Sequence, residues 1–223
     1  SFTDDKIAKN MKKYVIYGLG ISGISAIKFL IKKNHNVTAT DDNENKIFEV
    51  KNNFNSKKVK FLKPAEISYD QNTIIIFSPG IPLYLPKPHP ILEISKKTQA
   101  QLCCDIEIFY QQYQSNNFIG ITGTNGKSTT TALTGFILEN LGINSKVGGN
   151  IGTACFELEE DGEGEKKQPT TFIFETSSYQ LDLLSKTHFK IAALLNITPD
   201  HLDRHGSMFE YIKAKKRIFN NQT

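Results

Sequence analysis

The chain has 223 residues, enough for one large domain or two small ones. Hydrophobic residues make up 39% and charged residues 22%, which is the range of a folded globular protein and excludes a disordered, collagen-like or membrane-embedded chain. With 27 basic against 23 acidic residues the net charge is only +4, the acids are spread throughout, and a nucleic-acid partner is not required. No apolar run reaches the ~18 residues of a bilayer span, so no membrane partner is expected. Residues 1–10 are too polar for a signal peptide. Cys103, Cys104 and Cys155 form neither a disulfide framework nor a paired zinc pattern, and a reducing cytoplasm is the expected compartment.

In chain order, residues 14–17 form a short β-rich run that enters a glycine-rich turn, and a helical pattern follows to about Lys33. Residues 37–40, 59–62 and 73–77 read as further strands, the last stopped by Ser78-Pro79-Gly80. Residues 79–90 hold five prolines and cannot be regular structure. The stretch 91–114 reads as helical, and 115–117 as a linker. The pattern then restarts. Residues 118–122 are a strand before a second glycine-rich turn, and a helix over 127–141 ends at Gly142. Residues 143–147, 171–174 and 191–197 read as strands, the last one buried. Between them, 157–168 is almost all charge and glycine and reads as a mobile loop. Strands alternating with helices predict parallel sheets in an α/β fold. Two domains are expected, over residues 1–115 and 116–223.

The first turn, Gly18-Leu19-Gly20-Ile21-Ser22-Gly23, fits G-x-G-x-x-G between a strand and a helix. Its amides and the helix N-terminus suit a phosphate or pyrophosphate. Asp41 ends the next strand, where dinucleotide enzymes carry the acid that takes ribose hydroxyls. A nucleotide-type ligand is favoured over glycines that merely allow tight packing, and a nicotinamide-dependent oxidoreductase stays open on this loop alone.

The second turn, Gly120-Ile121-Thr122-Gly123-Thr124-Asn125-Gly126-Lys127-Ser128-Thr129, is more specific. Strand, turn, Gly-Lys-Ser and helix are the parts of a P-loop. The amides of Thr124 to Lys127 would wrap the phosphates, Lys127 would offset their charge, and Ser128 would bind Mg²⁺. The spacing is unusual, because Ile121 stands where the usual pattern has glycine and Gly123 comes instead.

Glu175 ends an apolar strand, where a P-loop domain places a Mg²⁺ ligand or a water-orienting group. The alternative is a cap for the turn that follows. Residues 198–206 are dense in potential ligands, with His201 and His205 as candidates that spacing does not separate, while His35, His89 and His188 read as ordinary turn or surface residues. Ser207 to Glu210 is a capping box. In the helix it opens, Met208, Tyr211, Ile212, Ile218 and Phe219 share a face with Lys215 at its centre. An amine there is either neutral, and open to carbamylation by CO₂, or reaches out to water. The two are equally consistent with the pattern.

These segments together resemble the Mur ligases, the ATP-dependent amino-acid ligases of peptidoglycan synthesis. Thr122 to Thr129 is similar to that family's phosphate loop, which accounts for the odd spacing. Residues 175–182, 196–205 and 211–215 resemble the members that add D-glutamate. The resemblance implies a Rossmann-like N-terminal domain holding a UDP-linked substrate, UDP-N-acetylmuramoyl-L-alanine, and a P-loop α/β central domain holding ATP. Gly18, Gly20, Ile21, Ser22 and Gly23 would meet the UDP moiety, Asp41 the uracil pocket, Ser78, Pro79 and Gly80 the same cleft, and Asn150 the muramoyl group. Gly123, Thr124, Asn125, Gly126, Lys127, Ser128 and Thr129 would bind ATP. Ser128, Glu175, His201 and a carbamylated Lys215 would hold two Mg²⁺, and a monomer is expected. It is the resemblance that selects His201 over His205. Asp42 and Asn43 stand where related enzymes often carry threonine and arginine beside the uracil. Family members continue into a longer central domain and a third domain for the incoming amino acid, so the chain reads as a fragment or split-gene product that need not turn over alone. A different Mur-type ligase, or a remnant that binds nucleotide without catalysis, are the remaining alternatives.

Overall fold

The computed structural model describes residues 12–150, 152–158 and 169–222. Most of the segment expected to be a mobile loop, and the polar start of the chain, lie outside the described residues. The chain divides into two compact units: residues 1–83 with 87–103, and residues 84–86 with 104–223.

In the first unit, β1 (Lys13–Tyr17), β2 (Val37–Thr40), β3 (Val59–Phe61), β4 (Thr73–Phe77) and β5 (Gln101–Cys103) form a wholly parallel sheet in the order β3-β2-β1-β4-β5. Helices α1 (Ile21–Lys32), α2 (Glu44–Lys51) and α3 (Pro90–Thr98) connect them. The central strands β1 and β4 are continuous apolar runs because both of their faces are covered. β5 lies inside the stretch that the sequence gives as helical. It is an edge strand of three residues, too short to show a period of two, and the left-handed Gln99 breaks the helix before it.

The second unit repeats the arrangement. β6 (Asn117–Thr122), β7 (Ser145–Gly149), β8 (Thr171–Glu175) and β9 (Ile191–Leu194) pair in parallel in the order β7-β8-β6-β9. β7 starts two residues later than the sequence suggests. β9 is shorter than expected and is not buried: it stands at the sheet edge among the described residues, and Ile191 is 57% exposed. Its apolar composition misleads because only one flank has a partner strand.

Helix α4 (Asp105–Gln112) brings Phe109 into an aromatic cluster with Phe118, Phe172 and Phe174, and also buries two acids. Glu107 accepts bonds from the amides of Ser185, Lys186 and Thr187 and from the hydroxyls of Ser185 and Thr187, at 2.7–3.1 Å. These bonds hold its carboxyl below the usual carboxylate range against the opposing effect of burial. Helices α5 (Lys127–Asn140), α6 (Ser178–Asp182), α7 (Leu202–His205) and α8 (Met208–Lys216) complete the unit. Among the described residues no helix is long and apolar enough to cross a membrane.

Candidate active site

In the first unit, β1 runs straight into the glycine loop. Gly18 has φ +103°, and a methyl group there would lie 2.4 Å from Cβ of Ser78. A methyl on Gly23 would lie 1.9 Å from the Gly18 carbonyl oxygen. Gly18 is therefore required by its positive φ and the Ser78 side chain, and Gly23 by the close approach of the Gly18 backbone. Gly20 starts α1 with open space around it and no side-chain cap, while Ile21 is 76% exposed and Ser22 half-buried. This leaves the first-turn amides facing outward, as an anion needs. Asp41 bonds the amide of Leu19 at 2.7 Å through one carboxylate oxygen and that of Asn43 at 2.9 Å through the other, so it braces the loop directly. Ser78 donates its amide to the Tyr17 carbonyl at 2.8 Å, which sets Ser78, Pro79 and Gly80 beside that loop. Asp42 accepts from the Tyr17 hydroxyl at 2.7 Å and lies 3.0 Å from Nε2 of His89, and Asn43 caps α2. Both departures from the family pattern are thus engaged within the unit. His89 is more than a surface residue, since its Nδ1 also accepts from the Ile91 amide.

In the second unit, β6 delivers the P-loop. Gly126 has φ +82° and caps α5 with no side chain, leaving that helix's first amides for a ligand. Ser128 and Thr129 are exposed. Two of the four amides expected at the phosphates are turned elsewhere: Thr124 donates to the main-chain oxygen of Asn196 at 3.1 Å, and Asn125 to its side-chain oxygen at 2.9 Å. The Asn196 amide donates back to the Asn125 carbonyl at 3.0 Å. Thr124 is further tied to Thr198 and, at 3.2 Å, to the Tyr211 hydroxyl. The Lys127 ammonium lies on the Thr124 carbonyl at 2.8 Å, folded over its own loop.

Glu175 leaves the sheet beside this loop. It is 2% exposed, and among the described residues its Oε1 has no hydrogen-bond partner. It does not cap the following turn; Ser177 does, accepting from the Gln180 amide. A buried carboxylate oxygen without a partner is costly unless a cation or donor completes it, and so fits a Mg²⁺ ligand. Asn150 donates its amide to the Glu175 carbonyl at 2.9 Å, and a methyl group on Gly149 would lie 2.4 Å from that same oxygen.

Lys215 is 2% exposed. Its amine does not reach water; it lies 2.8 Å from the Gly123 carbonyl and 3.4 Å from the Thr122 hydroxyl, and beside the Tyr211 ring. Burial, and then the positive charge of Lys127, lower its pKa to about 8, while Asp200 and Glu175 act in the opposite direction. Of the expected face, Tyr211 and Ile218 are buried, Met208 and Ile212 are half-buried and Phe219 turns outward, while Ala214, which the pattern does not include, is buried. His201 starts α7 in the left-handed region (φ 52°), half exposed, with Nε2 3.3 Å from Asp200. His205 is buried against Ser178 at 2.8 Å and stacked on Tyr179, and burial lowers its pKa to about 4, so it is neutral and already committed. Lys127, Glu175 and Lys215 thus meet at one end of the second sheet, with the His201 loop tied to the same P-loop through Thr198. Asn196 and Tyr211, which hold the loop, carry no role in the sequence reading. Asn196 was visible only as a member of a motif.

Two family models match the chain, the Mur ligase MurD-like N-terminal domain over residues 12–102 and the Mur ligase middle domain over residues 121–223. The chain belongs to the Mur ligase family. The first glycine loop and residues 121–129 of the second fall within the matched segments, so Gly126-Lys127-Ser128, which a nicotinamide-dependent oxidoreductase leaves without a role, is part of the Mur ligase pattern. Among curated relatives, the UDP-N-acetylmuramoylalanine--D-glutamate ligase of Wolbachia pipientis is 40% identical over 92% of this chain and 38% of its own length. That of Paramagnetospirillum magneticum is 37% identical over 94% of this chain and 44% of its own length. This Mur ligase chain spans less than half the length of these two curated relatives. A solved ligase structure, that of UDP-N-acetylmuramate:L-alanyl-gamma-D-glutamyl-meso-diaminopimelate ligase from Neisseria meningitides, is 16% identical with a TM-score of 0.49 over 93% of this chain and 68% of that one.

Proposed function

We propose that this chain supplies the nucleotide-binding parts of a cytoplasmic, monomeric, ATP-dependent ligase that adds D-glutamate to UDP-N-acetylmuramoyl-L-alanine in cell-wall synthesis. The observation that carries the reading is the meeting of Lys215 with the Gly123 carbonyl beside the unpartnered oxygen of Glu175. It joins a lysine of lowered pKa, a buried acid and a phosphate loop in one place.

In this reading the first unit holds the UDP-linked substrate and the second holds ATP; the boundary expected at residue 115 falls instead after Cys103, because the helix from Asp105 packs into the second unit. Gly18, Gly20 and Gly23 shape the pyrophosphate loop, Ile21 and Ser22 lie on the nucleotide, and Asp41 and Ser78 to Gly80 frame the uridine side. Gly123, Asn125, Gly126, Lys127, Ser128 and Thr129 cradle the triphosphate, and Thr124 shapes that cradle. Ser128 and Glu175 would hold one Mg²⁺, and His201 with Lys215 as its carbamate would hold the second. Asn150 contacts the muramoyl part of the UDP-linked substrate. The two cations supply charge neutralisation between anions brought together. The substrate carboxylate oxygen bonds to the γ-phosphorus as the bond to ADP breaks, giving an acyl-phosphate. The amine nitrogen of D-glutamate then bonds to the acyl carbon and phosphate leaves. The protein's own contribution is positional and electrostatic.

The test is phosphate release from ATP by the protein as its gene encodes it. Release that requires both UDP-N-acetylmuramoyl-L-alanine and D-glutamate, and is lost in Lys127→Ala and Glu175→Gln, supports the reading. Dependence on another amino acid overturns the substrate assignment.

A further inference from the structure

We infer that Asp105 is a positioning residue for the phosphate site: through the side chain of Gln180 it fixes the turn that follows Glu175 and touches the His201 loop. The inference rests on the proposed function, because it concerns the turn beside the proposed Mg²⁺ ligand.

Gln180 closes a capping box. Its Oε1 accepts from both the amide and the hydroxyl of Ser177, each at 3.1 Å, while the Ser177 hydroxyl accepts from the Gln180 amide at 3.2 Å. A glutamine amide can rotate by half a turn, and the rotated form would set N–H against N–H at Ser177. The box needs an acceptor behind Gln180 for the Nε2 donor. Asp105 is that group: its Oδ1 takes the Gln180 Nε2 donor at 3.0 Å and the Ile106 amide at 2.9 Å. Both side chains are almost fully buried, so water cannot replace either partner.

What the box holds in place is the hinge of the site. Thr176 donates its amide to the Ile121 carbonyl at 2.9 Å and accepts from the Thr122 hydroxyl at 2.8 Å, one residue from the P-loop glycine. Ser178 bonds His205, and Tyr179 stacks on His205 and leans on His201 at 5.5 Å. A turn released at Gln180 therefore loosens both the carboxylate and the histidine that flank the triphosphate.

The test uses the protein as its gene encodes it, a non-hydrolysable ATP analogue, and two readouts. The first is the ratio of analogue affinity with Mg²⁺ to that with EDTA. The second is the Gln180 side-chain NH₂ resonance. Asp105→Asn keeps an acceptor and is expected to preserve the ratio within about threefold and keep the resonance protected. Asp105→Leu is expected to lower the ratio about tenfold and expose the resonance to exchange. Should that variant not fold, Gln180→Glu, which sets a carboxylate oxygen against Asp105, is expected to lower the ratio equally. A fall in melting temperature with an unchanged ratio means a structural role only and overturns the inference. A parent protein whose analogue binding is indifferent to Mg²⁺ overturns the phosphate-site reading, and the inference with it.

Discussion

The amine of Lys215 lies 2.8 Å from the main-chain oxygen of Gly123, across 92 residues of sequence. The pKa of about 8 makes this amine chemically unusual. At pH 7 about a tenth of the molecules carry it neutral, against well under one in a thousand for an ordinary lysine. Incubation with ¹³C-bicarbonate is expected to give a carbamate carbon signal that grows between pH 7 and 8.5 and is absent in Lys215→Arg. A signal unchanged in the variant assigns it to another amine.

Asn196 clamps Asn125 from both ends of its amide, on the exposed side of the loop. Asn196→Ala removes two bonds worth about 0.5–1.5 kcal/mol each. Nucleotide affinity is expected to fall about tenfold and the melting temperature by a few degrees, the backbone bond from Thr124 keeping the loop folded. Isothermal titration beside a thermal melt checks both halves.

The two loop glycines Gly20 and Gly23 separate packing from binding. Gly23→Ala drives a methyl group into the Gly18 carbonyl and is expected to destabilise the first unit by about 3 kcal/mol or more. Gly20→Ala meets nothing within 4 Å and leaves stability unchanged. If the UDP moiety sits on this turn, Gly20→Ala nonetheless weakens UDP binding. Equal melting effects of the two changes would contradict the geometry.

Asp182 gives a pH dependence of known sign. Burial raises its pKa to about 6, with Glu210 adding to the rise and Arg217 and Lys213 opposing it. The folded chain therefore holds this proton more tightly than the unfolded one, and the group's contribution to stability declines as pH rises from about 4 to 6. Above pH 6 the whole penalty is present. Asp182→Asn is expected to stabilise the protein at pH 7 by about 1 kcal/mol after allowance for solvent screening, and to leave it unchanged at pH 3.5. Urea midpoints of parent and variant across this range measure the difference. His205 contributes the opposite slope between about pH 4 and 6.5, since its pKa is lowered, and this cancels in the comparison.

The parallel sheets, the two glycine loops and Glu175 are legible in the sequence because each depends on local pattern: an apolar run, a turn, a helix start. Lys215 is legible for the same reason, as a charge on an apolar stripe. β5 is not, because three residues carry no period, and the edge position of β9 is not, because composition does not record how many neighbours a strand has. Asp105 and Glu107 are also hidden. Two acids at a helix start read as ordinary first-turn charges, and only the fold shows that both point inward, toward partners 75–80 residues away.

That separation has a kinetic side. Glu107 closes its five bonds, and Asp105 its one to Gln180, only when residues 177–187 arrive. During synthesis α4 emerges first and waits with two acids unmatched. Loop-closure entropy makes such distant pairings late and slow. The turn beside Glu175 thus depends on pairings that form late, and changes at Asp105 or Glu107 are expected to register in the refolding rate or the yield of soluble chain as well as in equilibrium stability.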